Sequence, residues 1–240
     1  MNLNNYPGAK NNTGLIQFLV NEIPYHTRYW ELYAGSAALF RNKRAANSNI
    51  LNDINSDVVA ALKEEMHGAA IYNLPAVPLL QNGSFTREDF IYLDPPYPKK
   101  ARRSGRSYYK HEMLEDYDHV QLLTTIQALE ANVMISTGQN DLYDDMLKGW
   151  RKKEFNTMSQ RGPYVEIIFM NYDQPTILHQ YDMLGSDYIE RQHMKRKITR
   201  FKNKIEQLPI HQKHLLMQLL IENDTAAVQH FLSIRPGSKV

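Results

Sequence analysis

Four consecutive residues, Asp94-Pro95-Pro96-Tyr97, put a carboxylate, two rigid imide positions and an aromatic ring into one turn. Two prolines fix the backbone and remove two amide donors, so the turn presents carbonyl oxygens without competing N–H groups. A carboxylate beside such a carbonyl accepts both hydrogens of an exocyclic NH2 and directs its lone pair at an electrophilic methyl group, while Tyr97 offers a ring on which a base can stack. Taken alone, the tetrapeptide reads equally well as an Asp-capped loop. Upstream, Glu31-Leu32-Tyr33-Ala34-Gly35-Ser36-Ala37 runs from a strand-like stretch into a helix-like one. Its glycine allows a ligand close to the backbone, and amides at the helix start suit a ligand carboxylate. Asp53 ends the next strand-like stretch, where nucleoside-binding α/β folds place an acid on ribose hydroxyls, although a lone Asp there is more often a helix cap.

Directly after the tetrapeptide come Lys99, Lys100, Arg102, Arg103, Arg106, Tyr108, Tyr109 and Lys110. Basic side chains interleaved with tyrosines neutralise phosphates and stack or wedge bases around an extruded nucleotide; a merely solvated charged loop is the plainer alternative. His111 and Tyr109 are possible assistants, with a phosphate contact the commoner use of such a histidine. No histidine and carboxylate spacing suits zinc, and no Ser-His-Asp set is evident, so no metal is expected.

These residues need a sheet to hold them. The spacing predicts a helix from Thr13 to Ile23, a strand over Arg28–Tyr33, a helix through Phe40, a strand over Ile50–Asp53 and a helix over Ser56–Met66. From Ala69 to Glu88 the chain is Pro-containing and aperiodic and reads as a connection with little structure of its own. A strand over Phe90–Leu93 delivers Asp94, followed by a helix near Asp116–Leu129, a strand over Val133–Ser136, a helix over Leu142–Leu147 and a last strand over Tyr164–Tyr172. Alternating strands and helices imply a parallel sheet, whose sites lie at the carboxyl ends of its strands. After Pro175 the chain turns helical, with Met194, Ile198, Phe201, Ile205 and Leu208 as one apolar stripe. Arg191, Lys195, Arg196, Lys197, Arg200, Lys202 and Lys204 fill its other faces, and helices over His211–Glu222 and Thr225–Leu232 follow. The expected division is therefore a catalytic domain over 1–175 and a basic helical extension over 176–240.

The composition, 42% hydrophobic and 22% charged over 240 residues, suits one folded α/β domain with an appendage. A net charge of +2 confines any nucleic-acid footprint to local clusters. The absence of cysteine excludes disulfides, thiolate zinc sites and cysteine nucleophiles. With no signal-peptide core and no apolar run of membrane-spanning length, a soluble, cytoplasmic protein is expected.

In order along the chain, Tyr6-Pro7-Gly8-Ala9-Lys10, Glu31 to Phe40, Asn52-Asp53 and Asp94-Pro95-Pro96-Tyr97 resemble the Dam-like family of DNA adenine N6-methyltransferases. The likeness continues through Tyr108-Tyr109-Lys110-His111, Asp118-His119, Val133 to Ser136, Leu142-Tyr143 and Glu166 to Tyr172, covering roughly residues 5 to 175. The resemblance implies a Rossmann-like, S-adenosylmethionine-dependent methyltransferase with a mostly parallel sheet and, here, a C-terminal helical extension. It implies a cofactor pocket lined by Tyr6, Pro7, Gly8, Lys10, Glu31, Tyr33, Ala34, Gly35, Ser36 and Ala37, with Asp53 on the ribose, and a flipped adenine at Asp94, Pro95, Pro96 and Tyr97. Tyr33 stands where the family usually has Phe, and Ala37 where a second Gly is common. Larger members insert a target-recognition domain before the Asp-Pro-Pro-Tyr strand; here only Ala69 to Glu88 is available, without an obvious acid for the cofactor's adenine ring. The basic loop 99–110 is the first candidate to substitute for that domain and the basic tail helix the second, although an amphipathic packing helix is an equally good reading of the tail. DNA is the expected partner. RNA adenine or cytosine-N4 methylation, and a catalytically silent nucleic-acid-binding protein, are the alternatives; monomer or dimer, and any accompanying nuclease of a restriction-modification system, stay open.

Overall fold

The computed structural model describes residues 3, 10, 14–102, 110–113, 115–159 and 162–233. They divide into two compact units, Met1–Tyr181 and Asp182–Val240. The first is built on a seven-stranded sheet in the order β3-β2-β1-β4-β5-β7-β6. Its centre is β4 (Asp89–Leu93), buried at every position, as a strand covered on both faces must be. β1 (Arg28–Leu32) lies parallel to β4 in the register Leu32 opposite Leu93, and parallel to β2 (Ser48–Asn52) on its other side. β5 (Asn132–Gly138) extends the parallel sheet beyond β4.

Side chains alternate across these strands. Ile91 and Leu93 face a core shared with Leu122, Leu123 and Ile126 of α5 (Asp116–Gln127) and with Tyr143 of α6 (Asp141–Met146). Phe90, on the opposite face, stacks its ring on that of Tyr29. Fully buried Leu15 and Leu19 of α1 (Leu15–Val20), Leu39 of α2 (Ala38–Asn42) and Val58 and Leu62 of α3 (Ser56–Glu65) add to the core. Side-chain caps mark two starts: Asn55 accepts from the Asp57 amide ahead of α3, and Asn140 from the Tyr143 amide ahead of α6. The first helix is shorter than its apolar pattern suggests, because Gly14 at φ +94° precedes it and Asn21 ends it.

The sheet and its connections differ from expectation at two places. The stretch 69–88 contains a parallel edge strand, β3 (Ala70–Tyr72), and a helix, α4 (Ala76–Asn82). Its prolines belong to that helix: Pro75 is the N-cap and Pro78 lies in the first turn, where amide hydrogens have no helical acceptor. The Asn52 side chain ties the segment down by bonding both the amide and the carbonyl of Leu74. The second correction is β6 (Arg151–Ser159), a strand that the sequence reading left unassigned. It is an edge strand hairpinned to β7 (Gly162–Met170), and its charged run Arg151-Lys152-Lys153-Glu154 suits an edge rather than a core. β7 runs antiparallel to β5, so the alternation of strand and helix ends at α6.

The chain divides later than position 175, because 176–181 is tied to the first unit. Pro24 and Leu178 form an antiparallel bridge, and the amide of His179 bonds the carbonyl of Ile23 at 3.0 Å. The second unit contains α7 (Tyr188–Gln207), α8 (Ile210–Asn223) and α9 (Thr225–Ser233). Asp187 caps α7 by accepting from the Glu190 amide. No described helix is long and apolar enough to cross a membrane.

Candidate active site

Strand order reverses between β1 and β4, and the ligand crevice of an open parallel sheet lies beyond the carboxyl ends of such strands. A cavity of about 320 Å³ opens there. Its floor comes from the turn after β1, where Tyr33, Gly35 and Ala37 all take positive φ, at +63°, +50° and +51°. Left-handed backbone costs about 1–2 kcal/mol for a residue with a Cβ, so Tyr33 and Ala37 are held there by their surroundings. One such restraint is the Ala37 amide bonding the Ala34 carbonyl at 2.6 Å. Another is Asp53, whose carboxylate accepts from the Gly35 amide at 2.9 Å and from the Asn55 amide at 2.8 Å. Asp53 thus fastens the turn after β1 to the turn after β2 while lining the cavity. Burial raises its pKa against these two amide bonds.

Glu31, also on the cavity wall, accepts from the Tyr29 hydroxyl at 2.7 Å and the Phe40 amide at 2.9 Å. Burial pushes its carboxyl up to about 7. Burial pulls the nearby Lys43 down to about 7, and its ammonium lies over the Tyr29 ring.

Asp94 leaves β4 at the far wall, 21% exposed, with Pro95 and Pro96 buried behind it. Lys10 reaches Asp94 Oδ1 at 3.0 Å, the Tyr97 hydroxyl at 2.9 Å and the Glu166 carboxylate. The Tyr97 hydroxyl donates in turn to Glu166 Oε1 at 2.5 Å. The three hydrogens of the ammonium are therefore all engaged. Burial opposes charge on Lys10, but Asp94 and Glu166 outweigh it and hold its pKa well above the ordinary value. Burial lifts Asp94 to about 6, Lys10 opposing and Glu166 assisting. The Tyr97 ring lies nearly parallel to that of Tyr164, 12° between planes and 6.4 Å between centroids.

The structure thus gathers Lys10, Glu31, Tyr33, Ala34, Gly35, Ser36, Asp53, Asp94 and Pro96 around one cavity, with Ala37, Pro95 and Tyr97 in the same turns. Tyr6, Pro7, Gly8, Arg103, Arg106, Tyr108 and Tyr109 lie outside the described residues. Lys99 and Lys100 form an exposed 3-10 turn, and Lys110 is exposed beside Asp57. Arg102 does not join them at the surface. Its side chain is 5% exposed, bonding the Tyr97 carbonyl at 2.6 Å and pairing with buried Glu112 at 2.5 Å, so it anchors the Asp94–Tyr97 turn instead of presenting charge to phosphates. The sequence reading brings in Glu166 only as the start of the stretch 166–172 and gives it no role, although a lone carboxylate within Val165-Glu166-Ile167-Ile168-Phe169 was the available signal. It also missed the cavity wall of Ile54, Pro75, Ala76, Val77 and Pro78, because the helix bearing most of it was read as a loop.

The family described as D12 class N6 adenine-specific DNA methyltransferase matches residues 6–84 and 81–162. The Type II methyltransferase M1.LlaDCHI of Lactococcus lactis subsp. cremoris is 26% identical over 136 residues, which are 52% of this chain and 41% of that protein. The matched part thus spans less than half of that relative. Among solved structures, TrmK of M. capricolum in complex with S-adenosyl-homocysteine is similar at 12% identity and a TM-score of 0.44, over 89% of this chain and 96% of that one. Spermidine synthase from Thermotoga maritima is similar at 8% identity and a TM-score of 0.47, over 76% and 70% respectively. With the family match running through the turn 33–37, Asp53 and the Asp94 turn alike, the chain belongs to the D12 class of N6 adenine-specific DNA methyltransferases.

Proposed function

We propose that this protein transfers a methyl group from S-adenosylmethionine to the N6 amine of an adenine rotated out of DNA. The observation that carries the reading is Asp94, on its double-proline turn, facing the same cavity as Asp53 and the turn 33–37. That cavity suits the cofactor. The carboxylates of Glu31, Asp53 and Asp94 line it together with the apolar Ile54, Pro75, Val77 and Pro78, and about 320 Å³ lies within the range of small-ligand sites. Ala34 to Ser36 would hold the amino-acid end, Asp53 the ribose and the apolar residues the adenine ring. When bound, the cofactor supplies an electrophilic methyl group.

The chain's own residues do the rest. The Asp94 carboxylate and a main-chain carbonyl of the Asp94–Pro96 turn accept the two hydrogens of the target amine, so its lone pair points away from them into the cavity. Tyr97 and Tyr164 provide parallel rings beside the amine. Positive charge develops on the amine nitrogen as it takes the methyl group, and the ionised Asp94 stabilises it; the amine then loses its proton to solvent, with S-adenosylhomocysteine as the other product. Ionisation matters, because a protonated Asp94 would offer a hydrogen where an acceptor is needed. With its carboxyl raised to about 6, transfer falls as the pH drops through that value. Lys99 and Lys100, directly after the turn, and Lys110 are exposed and are the candidates among the described residues for contact with DNA phosphates.

The test offers methyl-labelled S-adenosylmethionine to the purified protein with duplex DNA, single-stranded DNA and RNA, and identifies the labelled nucleoside by chromatography. Label in N6-methyldeoxyadenosine is expected. Label in N4-methyldeoxycytidine, or in RNA alone, would replace adenine or DNA in the reading; cofactor binding without any transfer would favour a silent binding protein.

A further inference from the structure

We propose that Glu166 is a positioning residue for amine methylation, acting through Lys10 and Tyr97 to set the charge that Asp94 presents. This rests on the function proposed above and deepens it. Glu166 stands on β7, opposite Gly138 of β5, and is 3% exposed among the fully apolar Ile167, Ile168, Phe169 and Met170. A carboxylate buried there is costly unless charges and hydrogen bonds compensate it. Its Oε1 takes both the Tyr97 hydroxyl and the Lys10 ammonium. Lys10 in turn holds Asp94, so two carboxylates share one ammonium.

The count of charges gives this arrangement its consequence. A Lys10–Asp94 pair alone is neutral and would leave the Asp94 carboxylate saturated by its own counter-ion. With Glu166 included, the cluster carries one net negative charge, located where positive charge develops on the amine. Glu166 draws part of the ammonium's field, leaving Asp94 a better acceptor. It also fixes the Tyr97 hydroxyl, and with it the plane of the ring against which a base stacks. Packing gives no need for this group, since neutralising Lys10 requires only Asp94. Glu166 touches neither reacting atom, and its effect passes through its two partners.

The near-isosteric Glu166→Gln variant tests this. Single-turnover transfer with the full-length protein is expected to slow by about 10- to 100-fold, while KM for DNA and the cofactor Kd by calorimetry stay within about threefold. The acid limb of the rate moves to lower pH, because removing the Glu166 charge lets Lys10 act on Asp94 unopposed. Carbon-13 NMR titration of Asp94, free of substrate, shows the same downward displacement without relying on turnover. Glu166→Asp, which keeps the charge, leaves the acid limb in place. An unchanged rate, a slowed rate with an unmoved acid limb and unmoved Asp94 titration, or a Glu166→Gln chain unfolded by circular dichroism would each overturn the proposal. If the wild-type chain transfers no methyl group, the function reading fails, and the Asp94 titration still decides whether Glu166 acts on it.

Discussion

Acid should weaken the first unit through one pair of rings. His26 and His179 are 2% and 3% exposed and stack face to face, 3.8 Å between centroids and 19° between planes. His26 Nδ1 lies 2.9 Å from the Pro24 carbonyl and His179 Nε2 lies 3.0 Å from that of Arg44, so each ring is anchored at one nitrogen. Burial, with Lys43 and Arg44 beside it, holds His179 down to about 3. Burial and the neighbouring His179 hold His26 well below the ordinary value. A base whose folded pKa is depressed contributes stability that is complete above its unfolded pKa and is lost as the pH falls below it. Between an unfolded pKa of about 6.5 and a folded one of about 3, the loss at about pH 5 is about 2 kcal/mol for His179 alone. Glu31 and Asp94, with raised pKa values, gain protons on folding and push the other way over the same range, so the informative quantity is a difference between two proteins. His179→Gln keeps a donor for the Arg44 carbonyl and does not titrate. Urea unfolding followed by fluorescence reads the first unit, because both tryptophans, Trp30 and Trp150, belong to it. From about pH 7.5 to about pH 5 the wild-type midpoint should fall by about 1 M relative to that of the variant, for a slope of about 2 kcal/mol per molar. Parallel pH dependence in the two proteins would refute the reasoning.

Two further outcomes follow from the site. Gly35→Ala places a Cβ at φ +50° on the cavity floor, which should cost about 1–2 kcal/mol in urea unfolding and weaken cofactor binding in calorimetry by tenfold or more; wild-type affinity would show that the ligand does not approach that turn. Arg102→Met removes the buried partner of Glu112, and a loss of about 3 kcal/mol in chemical denaturation is expected, whereas a loss below about 1 kcal/mol would mark the pair as dispensable.

Much of this molecule is legible in its sequence because strand ends and chemistry coincide. Apolar runs such as Phe90 to Leu93 demand burial on both faces, and the residue that stops each run, Asp53 or Asp94, falls where the sheet builds its crevice. Local pattern fails where long-range pairing overrides it. Arg151 to Ser159 is too polar to read as a strand and becomes one because β7 supplies its hydrogen bonds along one edge. Pro75 and Pro78 look like breakers, yet they stand at the N-cap and in the first turn, where a missing amide hydrogen costs no helical bond. Arg102 sits in a run of cations, and its inward turn depends on Glu112, ten residues on, being buried beside it. Glu166 could be flagged as a charge in an apolar strand, but its partners lie 156 and 69 residues away at Lys10 and Tyr97, and no local pattern connects them.

Methyl transfer by this protein depends on Asp94. Mass spectrometry of nucleosides from DNA treated with S-adenosylmethionine and either the wild-type protein or Asp94→Ala tests it most directly. N6-methyldeoxyadenosine with the wild type, and at least about a thousandfold less with a variant that binds cofactor as tightly, is the predicted result. Equal methylation by the two proteins, or none by a wild-type protein that binds the cofactor, would contradict it.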